Sequence, residues 1–134
     1  MELFSVRVDP LRAVGPVVLG SPRAEAVEAL RAWGEPRPSE RGLVVFGPGT
    51  RLEALVRCVD DRVDAVEVFA QPGAAVVLFG LDVFRTPVAD VVAALRTRGD
   101  VVEDPGHAVE VPALALALLQ EGDGFRWLKV GRTP

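Results

Sequence analysis

The feature that most constrains the fold of this chain is an internal repeat. Residues 15–34 and 80–99 align without a gap at a constant offset of 65, and nine of the twenty aligned positions are identical. The two copies also share helix start and stop signals, which similar composition alone does not produce. A repeated unit of this size must bury its hydrophobic side against its neighbour, so the two copies are expected to lie together.

The start and stop signals predict one helix in each copy. Ser21 and Thr86 each precede a proline and are expected to cap the helix, because a hydroxyl accepts hydrogen bonds from the first exposed amides. Gly34 and Gly99 are expected to end the helices in a left-handed conformation. Apolar residues at helical spacing predict the buried faces: Ala26, Val27, Leu30 and Trp33 in the first copy, and Val88, Val91, Val92 and Leu95 in the second.

Strand-like segments separated by turn residues follow each helix. We therefore expect an α+β fold built from two tandem repeats, each a helix followed by a three-stranded meander, with both helices packed on one face of an antiparallel sheet. The repeats span about residues 11–74 and 75–134. One such unit is marginal alone, so residues 1–134 are predicted to form a single compact domain.

Composition excludes several classes of function. The chain has 134 residues and a net charge of −4, which argues against nucleic acid as a partner. A single cysteine excludes an intrachain disulfide and a multi-cysteine zinc site. No segment approaches the length of a membrane span, and the first residues lack the apolar core of a signal peptide. We expect a cytoplasmic protein without cofactor, metal or membrane contact.

Arginine abundance is not a sign of a binding site here. Of the 15 basic residues 14 are arginine, and isoleucine, asparagine and tyrosine are absent. Residues with GC-rich codons are enriched throughout, and this bias is typical of a bacterial gene from a GC-rich genome.

The start of the first helix resembles a known family pattern. Residues 14–30 read Val-Gly-Pro-Val-Val-Leu-Gly-Ser-Pro-Arg-Ala-Glu-Ala-Val-Glu-Ala-Leu. This segment resembles the helix opening in the tandem repeats of the β-lactamase inhibitor protein and of the related lipoprotein domain of the outer-membrane barrel-assembly machinery. It is also similar to short actinobacterial proteins. The resemblance implies a repeated helix-and-sheet fold and a protein-binding role; no functional residue of either family matches a motif here.

Candidate catalytic residues are few. His107 is the only histidine, and an alternative hypothesis makes the chain a small enzyme that uses His107 with Glu103, Asp104 or Cys58. Strand periodicity gives a simpler account of His107 and Cys58, as a residue at a strand edge and a core thiol. We therefore assign no catalytic residue.

The last strand carries the candidate partner surface. Residues 125–130 place Phe125, Trp127 and Lys129 on one face and Arg126 on the other, so neither face is wholly apolar. Aromatic and arginine side chains dominate binding hot spots, and Trp127, Arg126, Phe125 and Trp33 are the residues expected to contact a partner.

These observations favour a non-enzymatic protein-interaction domain. An immunity protein that neutralises a toxin encoded by a neighbouring gene is one concrete form of this hypothesis. The alternative is a self-associating structural homodimer in which exposed strands pair.

Overall fold

Alternating apolar and polar residues generate most of the structure, which is a computed structural model that describes residues 3–131. The strands are β1 (Phe4–Asp9), β2 (Ala13–Val14), β3 (Val17–Val18), β4 (Arg37–Ser39), β5 (Gly42–Val45), β6 (Ala54–Val59), β7 (Arg62–Phe69), β8 (Ala74–Leu78), β9 (Leu81–Asp82), β10 (Val102–Asp104), β11 (Ala108–Val111), β12 (Leu116–Glu121) and β13 (Gly124–Gly131). The helices are α1 (Arg23–Leu30) and α2 (Val88–Arg96), and a short 3-10 helix covers Pro112–Leu114.

The strands form two sheets. The smaller sheet has five strands in the order β3-β2-β1-β8-β9, and its centre is the parallel pair β1 and β8, with Phe4 opposite Ala74. The larger sheet has eight strands in the order β10-β11-β12-β13-β7-β6-β5-β4, all antiparallel. Both sheets and both helices contribute side chains to one hydrophobic cluster.

The predicted α+β arrangement is wrong. Of residues 3–131, 47% are in strands and 16% in helices, and they form two sheets in place of the single sheet with two helices on one face. The segments that precede each helix pair with each other and form the smaller sheet. β4 and β10 add one strand to each expected three-stranded meander, so that each meander has four strands.

The two longest hairpins are built alike. β6 and β7 are joined by Asp60 and Asp61, whose φ angles of 52° and 63° are typical of the tight turn that matches the twist of two strands. In this hairpin Cys58 pairs with Val63, and the register then shifts by one residue. The β12–β13 hairpin also has a two-residue turn, and its register shifts just beyond the Gln120–Phe125 pair. Each of these shifts is a β-bulge, which leaves one residue unpaired and bends the strand.

Both helices form where the sequence predicts them, but their ends differ from the prediction. Pro22 and Pro87 occupy the capping positions, and neither helix receives a side-chain cap; the Ser21 hydroxyl donates to the Val18 carbonyl oxygen. Gly34 does not adopt a left-handed conformation. A Cβ atom at Gly34 would lie 2.6 Å from Val45 Cγ1, so close packing requires the glycine. The predicted apolar faces do reach the core through Ala26 and Leu30, and through the valines and leucine of α2.

Candidate functional site

Strand alternation gives the eight-stranded sheet two unlike faces. The inner face carries fully buried valine and leucine side chains such as Val56, Val66 and Leu128. The opposite face, which we call the outer face, has side chains that are mostly only partly buried. Its central residues are Val44, Phe46, Leu55, Glu67, Phe69, Ala117, Leu119, Trp127 and Lys129.

Aromatic side chains group near the middle of the outer face. Trp127 lies directly opposite Phe69 across β13 and β7. The ring of Phe69 is 5.8 Å from that of Phe46, a separation typical of an aromatic pair. Trp127 is partly exposed, and its Nε1 donates a 2.9 Å hydrogen bond to Glu67 Oε1. This bond holds the indole in one orientation on the sheet.

Lys129 occupies the next row along the same face. It lies between Ala117 on β12 and Glu67 on β7, yet only 8% of the residue is exposed. Among residues 3–131, no hydrogen bond or ion pair engages its ammonium group. The lysine lines a cavity of about 290 Å³ together with Glu110, Pro112, Ala115, Leu116, Ala117 and Gly131.

The structure separates the four residues expected to contact a partner. Trp127 lies on the outer face, and Arg126 is exposed beside it. Trp33 and Phe125 are 1% and 0% exposed and belong to the core, so the prediction that they contact a partner is wrong. A Cβ atom on Gly15 would lie 3.3 Å from Trp33 Cζ2, because the indole packs directly against the backbone there.

The bulge in the last hairpin explains why Phe125 is buried. Phe125 pairs with Gln120 and Trp127 pairs with Leu119, so Arg126 is the extra residue. An extra residue shifts the alternation by one position, which turns Phe125 to the inner face with Leu128 while Trp127 stays on the outer face. A regular strand places Phe125 and Trp127 on one face, which is the interpretation that the sequence alone favours.

His107 and Cys58 are not brought together. His107 lies in the exposed turn before β11, and Cys58 is on β6 in the other half of the sheet. Four steps across the sheet separate β11 from β6, or about 19 Å at the usual strand spacing. Burial raises the pKa of the Cys58 thiol, with the charge of Arg23 acting in the opposite direction. His107 therefore does not activate the Cys58 thiol as a nucleophile.

The acidic residues of the β6–β7 hairpin do not form a cation site. Asp60 and Asp61 make the exposed turn, while Asp64 and Glu67 lie farther along β7. Within the described part of the chain, no group of three or more His, Cys, Asp or Glu side chains is arranged to hold a metal ion.

Sequence reasoning misses the most unusual residue of the outer face. Alternation places Lys129 beside Trp127, but nothing in the periodicity indicates that its side chain is buried without a partner. One signal is present in the composition: Lys129 is the only lysine among 15 basic residues. Phe69 and Leu55 are also missed, because their exposure depends on which face of the sheet is covered.

Comparisons with known proteins assign no family. The chain matches no protein-family model, no curated protein and no solved structure. The resemblance noted at residues 14–30 therefore stays a prediction. Among residues 3–131, no helix has the length and apolar character required to cross a membrane.

Proposed function

We propose that this chain is a protein-binding domain whose partner docks on the outer face of the eight-stranded sheet. The observation that carries the proposal is the set of partly exposed apolar side chains at the centre of that face, with Trp127 and Phe69 opposite each other. Aromatic anchors surrounded by smaller apolar residues are the usual core of a protein interface. The fixed indole of Trp127 also reduces the entropy lost on binding.

The edges of the same sheet are less suited to a partner. β4 and β10 are three residues long, Pro38 lies in β4, and Glu103 and Asp104 lie in β10. Short strands, proline and charge are the features that prevent edge-to-edge pairing. These features favour docking on the sheet face over a homodimer formed by strand pairing.

The test compares proteins retained by immobilised wild-type chain and by a Phe69→Arg, Leu55→Arg double variant. Arginine at both positions places two charges in the centre of the outer face. We expect at least one protein to be retained by the wild type and lost from the variant. Calorimetry with that purified protein should then show an affinity loss of at least about tenfold, the equivalent of about 1.4 kcal/mol.

The matched control is Ala89→Arg, on the exposed side of α2, where a charge is added away from the outer face. This control should retain the same proteins as the wild type. Circular dichroism of all three proteins checks that they are folded. If each protein retained by the wild type is also retained by the double variant, the outer face is not the binding surface and the proposal fails.

A further inference from the structure

Lys129 stands out by composition and by position. It is the only lysine of the chain, and its residue surface is 8% exposed. Lysine is among the residue types least often buried, because an ammonium group keeps its hydration unless another charge replaces it. Here most of the residue is covered, while the ammonium group opens on a cavity without a carboxylate partner, so an anion can pair with it there.

The carboxylate directly opposite Lys129 in the sheet does not form an ion pair with it. Glu67 lies directly opposite Lys129 across β13 and β7, a position where opposite charges ordinarily pair. Its Oε1 instead accepts the hydrogen bond from Trp127 Nε1. No ion pair within 4.0 Å connects Lys129 to any carboxylate of the described residues.

The cavity beside Lys129 has room for a small ligand. Its volume is about 290 Å³, and much of its wall is apolar, with Ala115, Leu116 and Ala117 on the side of β12. Ala117 is the direct neighbour of Lys129 on β12, and its short side chain leaves the space that a larger residue would fill. The ammonium group is accessible to solvent. Among residues 3–131, the side-chain N and O atoms that are fully buried without a hydrogen-bond partner belong to Ser39 and Asp82, and the Lys129 nitrogen is not one of them.

Glu110 limits the charge that this cavity accepts. It is exposed and lies on β11 in the same row, with Ala117 between it and Lys129. Because Glu110 lines the same cavity as Lys129, its carboxylate would repel a second negative charge on a ligand. The site therefore favours a ligand with one negative charge and an uncharged remainder.

We propose that the cavity binds a small monocarboxylate, with its carboxylate on the Lys129 ammonium and its short apolar body against Ala115 and Ala117. This site is formed by residues of the chain alone, and it shares Ala117 and Lys129 with the outer face proposed for the protein partner. The interaction is a charge-assisted hydrogen bond in a shielded place, with a contribution from apolar contact.

A single lysine gives this proposal a direct reporter. Protein labelled with 13C at the lysine Cε atom yields one side-chain resonance, which is titrated with butyrate, with succinate and with neutral butanol. We expect a saturable shift with butyrate at a Kd of about 1 mM, weaker binding of succinate, and no saturable shift with butanol. A resonance that no carboxylate shifts, or that butanol shifts equally, overturns the proposal.

Two variants test the roles of the charges by calorimetry with butyrate and succinate. Lys129→Gln should weaken butyrate binding by at least about tenfold, and Glu110→Gln should strengthen succinate binding more than butyrate binding. Arg126→Gln, which changes an exposed charge outside the cavity, should leave both affinities unchanged. If Lys129→Gln binds butyrate as the wild type does, the lysine is not the anion site.

A stability measurement gives an independent readout if Lys129→Gln disturbs the cavity. Lys129→Met keeps the apolar stem and removes the charge, so it tests whether stabilisation by butyrate depends on the ammonium group. Butyrate should raise the Tm of the wild type but not that of Lys129→Met. Stabilisation of Lys129→Met by butyrate contradicts the proposal.

Discussion

Arg85 connects the segment that follows β9 with the link between β7 and β8. Its guanidinium donates to the carbonyl oxygens of Gln71, Pro72 and Ala74 at 3.2, 2.6 and 2.6 Å. The same group is 3.0 Å from a carboxylate oxygen of Asp82. Arginine suits this position because its planar fork presents several donors in fixed directions. The side chain fixes the link between β7 and β8, where the chain leaves one sheet for the other.

Replacing Arg85 with lysine should weaken this link. Lysine keeps the charge but cannot reach several carbonyl groups at once, so the free energy of unfolding should fall by about 1–2 kcal/mol. Urea denaturation followed by circular dichroism measures the loss. Arg12→Lys, at an exposed arginine, is the control and should change stability by less than about 0.5 kcal/mol. Equal stability of the two variants contradicts the role given to Arg85.

The environment of Cys58 predicts that its thiol is alkylated slowly. Burial disfavours the thiolate and raises the pKa of Cys58, so less of the reactive form exists near neutral pH than in an exposed cysteine. Alkylation by iodoacetamide should be slower in the folded protein than in urea, and its rate should increase as the pH rises toward the raised pKa. Mass spectrometry over time measures both rates. Alkylation of the folded protein as fast as in urea refutes the prediction.

At the scale of elements, the edge strands of the eight-stranded sheet show how the sheet is protected from pairing with other chains. β4 is an edge strand that contains Pro38, paired with Leu43. The turn Glu40-Arg41 closes the β4–β5 hairpin. In the register of this hairpin, any residue other than proline at position 38 would direct its backbone N–H away from β5, toward the open edge of the sheet. Proline removes the one donor that a foreign strand would use at this point.

Restoring that backbone donor should allow β4 to pair with a strand of another molecule. Pro38→Thr is expected to increase self-association, because threonine supplies an outward N–H and favours strand conformation. Light scattering across a concentration series measures the mass. Pro36→Thr, just before β4, is the control and should behave as the wild type. Identical masses for Pro38→Thr and the control would show that proline is not what protects this edge.

Local patterns predict the elements that depend on neighbouring residues. The apolar faces of α1 and α2, the Asp60-Asp61 turn and the last hairpin are all predictable, since each depends on spacing within a few positions. β4 and β10 are not, because prolines and glycines around them are typical of loops. The pairing of β1 with β8 is also missed: two apolar strands so far apart in sequence carry no local signal of their register.

The candidate site is predictable in part for the same reason. Alternation places Trp127 correctly on an accessible face, whereas it misplaces Phe125 because a bulge is invisible to a period-two pattern. Trp33 is expected on a partner surface but lies beyond the last turn of α1, in the core. The burial of Lys129 depends on residues from three strands, which only the assembled sheet brings together.

At the scale of the whole molecule, the two sheets share a single core. Buried residues of the smaller sheet, such as Val6 and Val76, belong to the same cluster as Val66 and Leu128 of the larger one. Neither sheet has a separate hydrophobic interior, so each depends on the other for burial of its apolar side chains. Cooperative unfolding is the expected consequence.

The two tryptophans allow this cooperativity to be measured. In a Trp127→Phe variant, Trp33 is the only tryptophan and reports on the core, while circular dichroism reports on both sheets. The thermal transitions from fluorescence and circular dichroism should coincide. Two resolved transitions would mean that the sheets unfold separately, contrary to the shared core.

The parallel pairing of β1 with β8 also has a consequence for biosynthesis. β1 is made first, and its antiparallel neighbour β2 follows almost at once, but β8 is translated only after both helix α1 and the meander β4–β7. The second edge of β1 therefore stays unpaired in the nascent chain until helix α1, the meander β4–β7 and β8 have been synthesised. During that interval the backbone N–H and C=O groups on this edge are available to strands of other chains.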